Sequence, residues 1–188
     1  MPIAAAHVSS PAKVPTPIFP AAEDQILIRK VAEPGGWLSN MSPHPVEYEG
    51  QKWWHCEAMF QALRYAANDA EARDEIRRWK SPMRAKMVAK RFRDRHVVAP
   101  LSDADVANMR LCLRLKVSRH SDLGRKLIAS GERPIVEDCS SRGRRVNNLF
   151  WGAVRVPDSD LPMGYAWEGR NWLGRLWMEL RQELRSQS

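Results

Sequence analysis

Glu57, Gln61 and Arg64 carry the densest chemistry in this 188-residue chain. On a helix their spacing places all three side chains on one face. A carboxylate there can stabilise a developing cation or take a proton from water. The amide can fix a hydroxyl, and the guanidinium can fork onto a phosphate or onto the carboxylate itself. Glu57 also falls in the first turn of the expected helix, where an anion meets the positive end of the dipole. The competing reading is a helix-start glutamate at the head of a solvated Glu–Gln–Arg ladder.

Other residues offer weaker chemistry. Glu137-Asp138 is a second carboxylate pair, with Asp138 the candidate second acid and a strand-end turn the alternative. Trp151 could stack on a base or fill the core. Asn40 is a ribose or phosphate contact or a turn former. Asn171 is a ligand contact or a helix N-cap. Arg142, Arg144 and Arg145 flank Gly143 in a polar loop suited to phosphate. Cys56 and Cys139 each adjoin a candidate carboxylate and could act as nucleophiles, although small buried thiols are common. The five histidines do not cluster in sequence, no metal-ligand spacing occurs, and no Gly-rich phosphate loop is present. No metal and no cofactor are expected.

These residues need elements to hold them. Residues 1–24 contain Pro2, Pro11, Pro15, Pro17 and Pro20 and read as a flexible Ala/Pro-rich tail. One domain is expected over residues 25–186. Residues 25–28 and 46–49 read as strands, and Gly50 turns the second into residues 52–54, making a small, mostly antiparallel element. From Cys56 the pattern turns helical, with Ala58, Ala62 and Tyr65 on the apolar face. Asn68 and Glu71 form a capping box for a helix reaching about Trp79. Ser81-Pro82 opens a basic helix carrying Lys86, Lys90 and Arg91. Ser102 with Asp105 opens another to about Val117, and Ser121 opens a shorter one ended by Gly131. Residues 134–137 read as a strand, 140–147 as a loop and 154–168 as irregular. After Asn171, Leu173, Leu176, Trp177, Leu180 and Leu184 make the apolar stripe of a last helix, in which Gly174 permits close packing. The expected class is α+β, a single compact and mostly helical domain with a few short, mainly antiparallel strands.

Composition sets the outer limits. Hydrophobic residues make up 44% of the chain, enough for a core. No apolar run suits a membrane span, and the start lacks a secretory signal. Three separated cysteines suit a reducing cytoplasm. The net charge of +8 favours phosphates or nucleic acid as partners, or equally a solvated basic surface. A plain RNA- or DNA-binding domain is one reading of that charge.

Six segments in order carry a family resemblance: Leu38-Ser39-Asn40-Met41, the run from Cys56 to Tyr65, Lys80-Ser81-Pro82-Met83 with Ala85-Lys86-Met87, Val136-Glu137-Asp138, Phe150-Trp151-Gly152, and the run from Gly169 to Arg181. From about Trp37 to Leu184 the chain resembles the NADAR family, which includes the YbiA-like N-glycosidases. The resemblance implies cleavage of an N-glycosidic bond at C1′ of a ribose phosphate or ADP-ribose conjugate. The substrate would be a ribosylamino-pyrimidine of riboflavin synthesis, or ADP-ribosyl-guanine in DNA. The resemblance also implies a catalytic role for Glu57, beside which the residues themselves offer Asp138 as the weaker second carboxylate. Asn40, Gln61, Arg64, Trp151 and Asn171 would hold the substrate, and Arg142, Arg144 and Arg145 its phosphates. Four positions depart from the YbiA-like pattern: Ala58 replaces a histidine, Arg64 a lysine, Asn148 an aspartate and Leu101 a tryptophan. An arginine stays protonated and cannot form a Schiff base, so any covalent lysine chemistry is lost at position 64. The departures leave a non-catalytic module that binds ADP-ribose or NAD as the alternative.

Overall fold

Seven helices form the body of the protein, described by a computed structural model over residues 16–187. Helix α1 (Cys56–Ala62) is buried along its whole length. It packs against α2 (Ala70–Arg77), α3 (Pro82–Ala89) and α4 (Asp103–Arg119). Helix α4 reaches α5 (Ser121–Ala129) and α7 (Trp172–Ser186), and α7 also contacts α6 (Val146–Trp151). Leu38, Met59, Leu113, Leu127, Leu176 and Trp177 are buried in the main core. The starts of α3 and α4 follow from capping. Ser81 Oγ accepts from Arg84 N ahead of Pro82, and Ser102 Oγ accepts from Asp105 N at 3.2 Å. Helix α2 begins one residue later than its capping box suggests, because Asp69 rather than Asn68 supplies the cap, accepting from Ala72 N.

Among the described residues, seven short strands accompany this body. Strands β1 (Ile18–Pro20), β7 (Tyr165–Glu168) and β6 (Val154–Pro157) form an antiparallel sheet in that order. Strands β3 (Val46–Tyr48) and β4 (Gln51–Trp53) make the expected hairpin, with Gly50 at φ +69° in its turn. Strand β2 (Ile26–Ile28) does not join that hairpin. It pairs in parallel with β5 (Ile135–Glu137), across most of the sequence. A parallel pair between such distant segments leaves no hairpin signature to read.

Four further expectations change. Residues 1–15 of the expected tail lie outside the described residues, but Ile18–Pro20 within it is a strand, with Phe19 opposite Trp167. Prolines border this edge strand, where missing donors cost little. Phe19 packs on a second small core of Val136, Ala153 and Trp167. The stretch read as irregular holds β6 and β7, joined by a turn in which Gly164 has φ +68°. The loop at 140–147 is shorter than its composition suggests, because α6 begins at Val146. At Gly174 an added Cβ would lie 2.1 Å from Ile135 O, so this glycine brings α7 onto strand β5 rather than onto a helix. Among the described residues no helix is long and apolar enough to cross a membrane.

Candidate active site

Because α1 is buried on every side, its polar residues face a cavity instead of bulk solvent. The cavity measures about 360 Å³ and lies between α1, the 39–41 turn, residues 28–31, the end of β5 and α6. Glu57 is 1% exposed at its floor. Its backbone N–H donates to Asn40 O at 2.9 Å, and the Asn40 side-chain amide donates to Glu57 Oε2. Gln61 Nε2 donates to Oε1 at 2.9 Å, and Lys86 Nζ stands 3.7 Å from the same oxygen. Both carboxylate oxygens are thus aimed and held before any ligand arrives.

The Asn40 turn is itself braced from below. Lys116 on α4 is 1% exposed and has no carboxylate partner among the described residues. Its ammonium donates to Trp37 O at 2.5 Å, Ser39 O at 3.0 Å and Ser42 Oγ at 2.6 Å. Burial pulls its pKa down to about 8. Trp177 Nε1 also donates to Leu38 O at 2.8 Å.

Arg64 lines the cavity, but its carboxylate partner is not Glu57. Its Nε and one terminal nitrogen fork onto Asp105 at 2.8 Å each, while the other terminal nitrogen donates to Gln61 Oε1 at 3.0 Å. Asp105 is fully buried and also accepts from Leu101 N at 2.8 Å. A residue readable as a helix cap is therefore the anchor of the site arginine. Leu101 adopts φ +65°, a left-handed conformation rare for a branched side chain, and that bond to Asp105 helps to hold it there.

The second carboxylate in the cavity is Glu137, not Asp138. Neighbours on a strand point to opposite faces, and the β5 register turns Glu137 inward. Asp138 points away: it accepts from Ser140 N and pairs with Arg155 at 3.2 Å. Burial raises the Glu137 pKa, Arg142 at 2.9 Å opposes the rise, and the charge of Glu57 adds to it. Trp151 lines the wall, with its ring centroid 5.3 Å from that of Phe60.

The remaining residues divide clearly. Asn40, Glu57, Gln61, Arg64, Trp151 and Arg142 meet in the cavity. Arg144 instead pairs with Glu168, and Arg145 is exposed at the start of α6. Asn171 stands at the N-cap of α7 in a left-handed conformation, but its side chain does not cap. It accepts from Glu137 N at 3.0 Å and donates to Ile135 O at 2.8 Å, so it fixes β5 and with it Glu137. Glu137, read in the sequence as the neighbour of the candidate acid, lines the cavity, and so do Asn147, Arg29 and Lys30, which no motif singles out. Of the two lysines that could stand in for the one replaced at position 64, Lys86 lines the cavity, whereas Lys80 lies 4.7 Å over Trp54 and does not.

The departures from the family pattern also find places. Ala58 is fully buried and does not line the cavity. Asn148 Nδ2 donates to Arg142 O at 3.0 Å and Gly143 O at 2.7 Å, bonds that an aspartate could not donate. The cysteines are poor nucleophiles, because burial pushes Cys56 up to about 11 and Cys139 up to about 12.

The chain matches the NADAR domain over residues 27–185. It is 33% identical over 151 residues to the N-glycosidase YbiA of Escherichia coli, covering 79% of this chain and 81% of the relative. A riboflavin biosynthesis protein of Vibrio vulnificus is 27% identical over 170 residues, covering 86% of this chain and 39% of that longer protein. The NMR structure of Escherichia coli YbiA superposes with a TM-score of 0.64 at 29% identity, covering 89% of both chains. With its matching segments, its fold and these relatives, the chain belongs to the NADAR domain family.

Proposed function

We propose that this N-glycosidase of the NADAR family hydrolyses the bond between a base nitrogen and C1′ of a ribose that carries phosphate. The ribose would belong to a ribosylamino-pyrimidine phosphate or to an ADP-ribose conjugate such as ADP-ribosyl-guanine in DNA. The observation that carries the reading is the buried Glu57 carboxylate, held from both oxygens at the floor of a cavity that also contains Glu137.

The two carboxyls divide the work by environment. Glu137, its pKa raised by burial, gives a proton to the departing base nitrogen as the C1′–N bond breaks and its electron pair leaves with the base. The ribose then carries an oxocarbenium-like charge, which the Glu57 carboxylate faces. Water adds to C1′ and passes its proton to Glu57. Gln61 and Asn40 hold ribose hydroxyls, Trp151 stacks on the base, and Arg142 takes the phosphate. Lys86 presents an amine beside Glu57 in a chain whose position 64 holds arginine.

The test is product release from a ribosylamino-pyrimidine phosphate and from DNA carrying ADP-ribosyl guanine, with Glu57→Gln as control. Glu57-dependent release of free base from either substrate supports the reading and selects the branch. Binding of ADP-ribose without release from either would replace it with a non-catalytic reader, a role favoured by the changes at Arg64 and Asn148.

A further inference from the structure

Five cations line the active-site cavity, and they are not equally free to turn toward a ligand. Arg64 is tied to Asp105 by two nitrogens and to Gln61 by the third. Arg29 is bonded to Glu33, Lys86 stands beside Glu57, and Lys30 forms no ion pair among the described residues. Arg142 differs from all four, because it rests on Glu137. One of its terminal nitrogens donates to Glu137 Oε1 and to Cys139 Sγ, each at 2.9 Å. The other terminal nitrogen and Nε form no hydrogen bond among the described residues, and the side chain is about half exposed. Asn148 holds the backbone carbonyls of Arg142 and Gly143, so the guanidinium can swing by side-chain rotation while its turn stays in place.

The carboxyl beneath it is set by opposing neighbours. Glu137 is faced by Arg142 from the turn, by Lys86 from α3, by Glu57 from α1 and by the Cys139 thiol beyond β5. Burial and the Glu57 charge favour the neutral acid, while Arg142 and, less strongly, Lys86 favour the carboxylate. A general acid must carry its proton when the bond breaks, and the ion pair with Arg142 works against that. A phosphate monoester offers a guanidinium nearly two charges and three acceptor oxygens, more than one carboxylate can. When Arg142 turns to it, Glu137 keeps its burial and its repulsion from Glu57, loses its strongest opposing cation, and takes up a proton from solvent. Once that proton has gone to the base nitrogen and the phosphate has left, carboxylate and guanidinium pair again.

We propose that Arg142 makes the chemistry specific for phosphorylated ribose: phosphate draws it off Glu137, and this release arms Glu137 as the acid. The proposal rests on the reading of the cavity as a ribosyl site with Glu137 as its acid. The experiment is a carbon-13 NMR titration of the side-chain carboxyls of the full chain, with and without saturating ribose 5-phosphate, in wild type and Arg142→Ala. The Glu137 signal is the one missing from Glu137→Gln. In wild type, ribose 5-phosphate should raise the proton affinity of Glu137 by about tenfold or more. In Arg142→Ala that affinity should already be raised by about the same factor without ligand, and ribose 5-phosphate should add about threefold or less. Three results would overturn the switch and leave the ribosyl site standing: a wild-type Glu137 titration unmoved by bound ribose 5-phosphate, an unchanged titration in ligand-free Arg142→Ala, or the full rise on adding ligand to that variant. Failure of wild type to bind ribose 5-phosphate overturns both.

Discussion

The two sides of the active-site cavity are built differently. On the α1 side Glu57, Gln61 and Arg64 are buried and held both within the helix and from distant segments: Glu57 by Gln61 one turn on and by Asn40 and Lys86, and Arg64 by Asp105. On the opposite side, residues 140–147 are exposed, and Arg142 rests on Glu137 and on the carbonyl bonds that Asn148 makes to its turn. A bond-breaking carboxylate tolerates little displacement, because small misplacements cost large factors in rate. A wall that meets phosphate or base needs donors more than rigidity. Under the proposed function, this difference places the cation-facing carboxylate on the helical side and substrate choice on the loop side, with the acid Glu137 at their boundary.

The sharpest way to break this division is Glu57→Gln. The amide keeps size and shape but cannot take a proton, so turnover should fall by roughly 10³-fold or more while circular dichroism still shows a folded chain at the assay temperature. Retained turnover would remove Glu57 from the chemistry. Asp105→Ala comes next. It strands the Arg64 guanidinium in a buried site and removes the acceptor of Leu101 N, and should cost about 3 kcal/mol or more in urea unfolding. A loss below about 1 kcal/mol would mean that the helical side is less dependent on this pair than its burial suggests.

Glu137→Gln tests the boundary between the sides. If protonated Glu137 is the acid, turnover falls as pH rises through its folded pKa, and burial moves that limb above the usual carboxylate range. The variant should lose about 10²-fold in kcat and lose the limb as well. A pH profile with the limb intact would assign the proton elsewhere. Arg142→Ala has the smallest effect of these. Its charge holds the Glu137 pKa down, so its removal should move the limb to higher pH. KM for a phosphorylated ribose should rise by about tenfold, with stability changed by less than about 1 kcal/mol because the side chain is half exposed. A large loss of stability would show that the loop wall is as structural as the floor.

Much of this layout is legible in the chain. Cap residues such as Ser81-Pro82 and Ser102 mark helix starts, and the Glu57, Gln61, Arg64 spacing marks the polar face. What that spacing cannot show is the face's destination, because the same ladder serves solvent or a cavity until α2, α3 and α4 bury the helix around it. Lys86 reaches Glu57 only through the packing of α3 on α1, and no local pattern reports that. Glu137 and Asp138 are adjacent, and only the face chosen by β5 separates their roles. Ile135 and Val136 are both apolar, so the sequence is silent about that face. The strands β6 and β7 escape notice because each is short and one ends in Pro157. Asn171 carries the signal of a cap but spends its side chain on the neighbouring strand.

The buried Lys116 has a consequence for measurements on the alkaline side. Unfolded, this lysine keeps its proton up to about its ordinary value of 10.5, while folded it lets go near 8. Between those values unfolding takes up a proton, so rising pH favours the folded chain. The neutral amine, however, can offer at most two hydrogens to the three acceptors that its ammonium satisfies under the Asn40 turn. Between about pH 8 and 9 melting temperature and turnover should therefore part company, the first rising as the second declines; at higher pH the buried Cys56 and Cys139, held far above their ordinary value of 9, favour the unfolded chain instead. Lys116→Met should abolish this divergence in calorimetry and kinetics run side by side. A protein that hardens while its active-site floor loosens would give a thermal screen and an activity screen opposite answers about its best pH.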